Sequence, residues 1–107
     1  NLNDFGDGNF GHGCAGFTCF ELELPSVMFF NDAFVEKNPE MRNVRKHSAN
    51  TVSHSNVSHT FFGLGGIYPR EYRKTFDLSS DSYKYEEPYV IDCDLFPIKY
   101  SKASIQD

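Results

Sequence analysis

The chain has 107 residues, fifteen acids against ten Lys and Arg, a formal charge of −5 and a hydrophobic fraction of 39%. This length holds one domain with a modest core and not two independent ones, no apolar run approaches the ~18 residues of a membrane span, and an acidic balance argues against nucleic acid, which demands a basic footprint. Eleven Phe and six Tyr concentrate burial in a few large rings, each able to hide ~150 to 250 Å².

Residues 1–16 read as an extended Gly/Asp/Phe arm. Gly6, Gly8, Gly11, Gly13 and Gly16 are set among small or acidic residues, and each glycine adds roughly 1 kcal/mol of helix penalty relative to alanine. Phe5, Phe10 and Phe17 are spaced as anchors that gain order by laying rings onto a surface. The glycines do not form a nucleotide-binding loop, because no strand precedes them and no lysine or helix follows. Asp4, Asp7 and Asn9, with Asn3, supply oxygen ligands for a weak calcium candidate, but the alternating ligands and distal Glu of an EF-hand loop are missing.

From Phe17 the alternation of Phe20, Leu22 and Leu24 with Cys19, Glu21 and Glu23 predicts a strand ending at Pro25. Residues 27–37 suit a strand followed by a short turn of helix that Asn38-Pro39 stops. Residues 38–60 are polar and read as a long loop or two weak edge strands. Three glycines within 61–69 suggest a bulge, a sharp bend or buried corner, or a place where another backbone packs closely. Thr75–Leu78 fits a short strand, and Ser79-Ser80-Asp81-Ser82 a turn. Tyr83, Tyr85, Tyr89, Ile91, Cys93 and Leu95 alternate with polar residues as a long strand kinked at Pro88, and Ile98 and Tyr100 add a last one before a polar tail at 101–107. The expected fold is therefore all-β and mainly antiparallel: a small sandwich or barrel over residues 17–100, with long loops and at most one short helix.

Charge is segregated. Residues 1–36 carry six acids and no Lys or Arg, whereas residues 37–74 carry seven basic residues, Arg42, Arg45 and Lys46 among them, against two acids. Such an arrangement can steer the acidic arm of one copy to the basic segment of another. Cys14, Cys19 and Cys93 allow one bridge. Cys19 with Cys93 is favoured over the pairings through Cys14, because both lie in strand-like alternation; on chain entropy such a bridge would stabilise by about 4 kcal/mol. The bridge, together with the sequon Asn56-Val57-Ser58, points to a secreted glycoprotein. No leader segment precedes Asn1, and a start without Met reads as a trimmed form or fragment.

Chemistry-bearing spacings are few. His47, His54 and His59 follow H-x6-H-x4-H, which fits no zinc signature, and no local nucleophile motif is present. Tyr83, Tyr85 and Tyr89 form either a binding face or half of an aromatic core. The sequence thus predicts a non-enzymatic extracellular structural or interaction module without a cofactor, self-assembling through its arm into an oligomer or filament or joining another extracellular protein. Its competitors are a small calcium- or carbohydrate-binding domain and a small secreted hydrolase using its histidines.

Overall fold

The computed structural model describes residues 17–18, 22–91, 96–103 and 105–106, of which 17–18 and 105–106 by backbone alone. The chain divides into two compact units, Phe29–Pro88 and the flanking Asn1–Met28 with Tyr89–Asp107.

In Phe29–Pro88 the elements are helical. Helix α1, Asp32–Lys37, begins where Asn31 Oδ1 accepts the Phe34 N–H at 2.8 Å, satisfying a donor that the helix leaves open. Asp32 and Lys37 lie at the ends that suit the helix dipole. It stops at Asn38, ahead of Pro39, with Asn38 Nδ2 donating to the Phe34 carbonyl at 2.8 Å. Helix α2, Met41–Lys46, buries Met41 and Val44, one turn apart, and turns Arg42, Arg45 and Lys46 to solvent. Helix α3, His54–Gly65, opens with the backbone N–H and the hydroxyl of Ser53 both donating to Asn56 Oδ1, at 3.0 and 3.1 Å, a capping-box arrangement with Asn as the reciprocal residue. It ends at Gly66, whose φ of 64° is left-handed; Ile67 N–H donates to the Phe62 carbonyl at 3.0 Å and Gly66 N–H to that of Gly63 at 3.1 Å, the Schellman pattern that glycine permits.

Residues 67–84 then run as successive turns, with Tyr72 N–H on Pro69, Phe76 N–H on Arg73 and Ser80 N–H on Asp77. This segment lies against α3 through the stripe Asn56, Thr60, Gly63, at i, i+4 and i+7 on one helix face. Asn43 Nδ2 ties α2 to it as well, donating to Ser79 O at 2.9 Å and Asp81 Oδ1 at 2.8 Å. The interior is thin in apolar matter. Among the described residues the buried hydrophobic side chains are Met41, Val44 and Leu78, joined by buried Asn56, Thr60, Asp77 and Ser79.

In the flanking unit, β2 (Tyr89–Ile91) pairs antiparallel with β3 (Pro97–Lys99), Val90 opposite Ile98, and β1 (Phe17–Thr18) pairs parallel with β4 (Ile105–Gln106), Phe17 opposite Ile105. A 3-10 turn, Tyr100–Lys102, follows β3, and Tyr100 Oη donates to Glu23 Oε1. Pro97, lacking an N–H, opens its strand, a place where no ladder donor is required of it.

The expected all-β sandwich or barrel is incorrect. Three helices and one antiparallel pair of strands are present among the described residues, where at most one short helix was expected. The polar loop assigned to 38–60 holds α2 and the first half of α3. The corner at 61–69 is the second half of α3 with its cap, and Thr75–Leu78 is turn, not strand. The long strand from Tyr83 shrinks to Tyr89–Ile91 within the described residues, with Tyr85 and Tyr89 exposed: that alternation marks no buried face. The helix after Phe30 and the turn at Ser79–Ser82 are present as expected, but the strand expected before that helix is absent and the one expected from Phe17 to Pro25 is strand only at Phe17–Thr18 among the described residues.

Candidate functional site

The best-built cluster lies where residues 68–79 cross α3. Thr60 is fully buried, 0% exposed. Its hydroxyl donates to the Asn56 carbonyl one turn back at 2.7 Å and accepts the Leu78 N–H at 2.9 Å, so one side chain binds both helix and turn. Asn56, 7% exposed, donates from Nδ2 to the Phe76 carbonyl at 3.1 Å. Asp77, 2% exposed, accepts the Ser79 N–H at 2.8 Å and the Ser79 hydroxyl at 2.6 Å on Oδ1, and the Tyr72 hydroxyl at 2.5 Å on Oδ2. These donors are all neutral, so the buried carboxylate is stabilised by hydrogen bonding rather than by a countercharge.

Gly63 makes the crossing possible. A Cβ there would lie 1.9 Å from Asp77 Oδ2 and 2.8 Å from its Cγ; only a residue without that atom lets the carboxylate rest on the helix. Burial, then the hydrogen bond and charge of Asp77, then Tyr68, raise the Tyr72 phenol well above its ordinary value. Tyr72 is thereby kept as a protonated donor and not as a nucleophile.

Outside this polar seam is a run of rings. His59 stacks on Phe76 with centroids 5.6 Å apart, faces Tyr72 at 5.8 Å and meets Phe62 edge-on at 6.4 Å. Tyr68 continues it, 5.0 Å from Tyr72, and the Arg73 guanidinium sits 5.7 Å from the Phe76 centroid, within cation–π range. His59 Nδ1 accepts the Arg73 N–H at 3.2 Å, which places the ring proton of the neutral form on Nε2. The face is open: Tyr68 is 65% exposed, and Phe62 and Arg73 are exposed too.

The histidines do not converge. His47 packs on Tyr83, ring centroids 4.5 Å apart, His54 is an exposed residue at the start of α3 and His59 belongs to the ring cluster. No group of three His, Cys, Asp or Glu side chains that could hold a metal is found among the described residues. Ser79 spends its hydroxyl on Asp77 in a buried place, so it is not presented as a nucleophile.

Of the residues singled out from sequence, Arg42, Arg45 and Lys46 share one exposed side of α2, at i, i+3 and i+4. Phe17 is described through its β1 backbone. Phe5, Phe10, Asp4, Asp7, Asn9, Cys14, Cys19 and Cys93 lie outside the described residues. Asn56 occupies a helix and not a surface loop. Its Nδ2 donates to the Phe76 carbonyl and the residue is buried, 7% exposed. The close approach expected among the glycines of 61–69 is found at Gly63, whereas the roles of Thr60, Tyr72 and Asp77 were not expected from the sequence. The stripe Asn56–Thr60–Gly63 is the signal for them: small and polar residues at helical spacing mark a face that another backbone approaches closely. No protein-family model, curated protein or solved structure matches the chain.

Proposed function

We propose that the chain is a non-enzymatic extracellular interaction and structural module that self-associates, the acidic arm of one copy docking on the basic middle segment of another. One observation carries this reading. The described part of the chain builds its interior from polar bonds and three apolar side chains, yet leaves large apolar groups in water, with Phe61 60% exposed and Ile67 and Tyr68 beside the α3 cap similarly bare. Exposed rings grouped in this way mark a surface that another polypeptide covers. The arm supplies Phe5, Phe10 and Phe17, glycines that allow close backbone approach, and Asp4 and Asp7 against the excess of cations in residues 37–74. A Cys19–Cys93 bridge belongs to this secreted form. No helix of the described residues is long and apolar enough to cross a membrane.

Sedimentation of the full chain and of a form lacking residues 1–13, both in reductant so that thiols do not link copies, tests the assembly. Association of the full chain with a monomeric truncation is the expected result; equal sedimentation of the two removes the reading. Non-reducing mass analysis of secreted material reports the bridge.

A further inference from the structure

The middle segment presents two basic surfaces that differ in kind. On α2, Arg42, Arg45 and Lys46 stand alone: the apolar residues of that helix, Met41 and Val44, are buried beneath them. At the crossing of α3, Arg73 lies over a ring in a continuous aromatic path that runs from Phe62 through His59 and Tyr72 to Tyr68, and exposed Arg70 and Lys74 flank it in sequence. The arm reads Asp4-Phe5-Gly6-Asp7-Gly8-Asn9-Phe10, alternating carboxylate and ring. A bare cationic ridge satisfies only its acids. A face holding both rings and guanidinium satisfies acids and phenylalanines together, since aromatic pairs contribute about 0.5 to 1.5 kcal/mol beyond the area they cover and interface anchors are typically aromatic residues and Arg.

We infer that the arm of one copy is received on the Phe62–Tyr72–Tyr68 face of a second copy, with Arg73 pairing with the arm carboxylates, and that the α2 ridge contributes long-range attraction alone. This rests on the self-association proposed above and names its receiving surface. Within the receiving face Tyr72 is held by its bond to Asp77 and His59 by the Arg73 backbone N–H, so these two rings are set before an arm arrives.

The test is sedimentation of the full chain in reductant at physiological salt, with circular dichroism verifying that each variant keeps its helices. Tyr68→Ser and Arg73→Glu each weaken association by about tenfold or more, as loss of an anchor does, whereas Arg42→Glu with Arg45→Glu weakens it by less than about threefold, as loss of screened peripheral charges does. Arg73→Glu retains its N–H to His59, so folding is preserved while the charge is reversed. Combining Arg73→Glu with Asp7→Lys in one chain recovers part of the association that either change alone weakens, because every reversed receiver then meets a reversed arm. If truncation of 1–13 abolishes association but Tyr68→Ser and Arg73→Glu leave it intact, the receiving face is elsewhere and this inference fails while self-association stands. A full chain that is monomeric throughout overturns both.

Discussion

Gly63→Ala isolates the geometry on which the Phe29–Pro88 unit depends. In an ordinary helix interior this exchange stabilises by about 1 kcal/mol, because alanine has the higher propensity. Here the new methyl would stand 1.9 Å from Asp77 Oδ2, 2.8 Å from its Cγ and 3.1 Å from Tyr72 Oη. The carboxylate must retreat by more than about 1 Å to reach ordinary van der Waals separation, and its 2.5 Å bond from Tyr72 and the pair from Ser79 cannot all follow. Hydrogen bonds to a charged group contribute ~1.5 to 3 kcal/mol each, so losing two of the three while gaining helix propensity predicts a net loss of about 2 to 5 kcal/mol. A unit of this size has about 3 to 9 kcal/mol in all. Urea unfolding followed by the helical circular-dichroism signal, which α3 dominates among the described residues, measures the change. Two neighbours calibrate it. At Gly65 a Cβ meets only Ile67 side-chain carbons at 3.8 Å, so Gly65→Ala gains up to about 1 kcal/mol; at Gly66 there is open space but a φ of 64°, so alanine costs about 1 to 2 kcal/mol. Combining Gly63→Ala with Asp77→Ala removes the clash, and alanine at 63 then becomes neutral or favourable. A Gly63→Ala midpoint at or above wild type would refute the Asp77–helix contact.

Thr60→Val keeps shape but leaves the buried Leu78 N–H without its acceptor, and urea unfolding will report a loss of about 1 to 3 kcal/mol. Tyr72 has a raised phenol in the fold, so its contribution to stability is intact below the ordinary tyrosine value near 10 and is lost as pH rises beyond it; unfolding midpoints measured across that alkaline range will fall more steeply for wild type than for Tyr72→Phe. Asn56→Ala removes the bond to the Phe76 carbonyl and the acceptor of the Ser53 N–H, and urea unfolding will report a loss of about 1 to 3 kcal/mol.

What could be read from the sequence was local. Asn38-Pro39 marks the end of α1 because proline restricts the residue before it, and the Ser-Ser-Asp-Ser run at 79–82 is a turn by side-chain chemistry alone. Helix α3 was not legible, since Ser, Asn, Thr, His and Gly are indifferent helix formers and are there to meet partners eighteen to twenty residues on: Thr60 with Leu78, Asn56 with Phe76. The misreading at Tyr83–Ile91 has the opposite cause. Its alternation is regular, but period alone does not say which side is covered, and Tyr85 and Tyr89 lie in solvent. In the candidate site, the cations of α2 were visible as a charge cluster, whereas the ring face is divided between α3, with His59 and Phe62, and the turns after it, with Tyr68, Tyr72 and Phe76, which the crossing at Gly63 brings together.

An interior in which Thr60, Asp77, Ser79 and Asn56 outnumber Met41, Val44 and Leu78 also has a calorimetric signature. Newly wetted apolar area raises the heat capacity on melting, while newly wetted polar area lowers it. Melting of this unit therefore carries a heat-capacity increment below the ~12 to 15 cal/mol/K per residue of an average globular protein, and its stability curve is broad and shallow against temperature. Cold weakens such a unit less than it weakens one held together by greasy contacts.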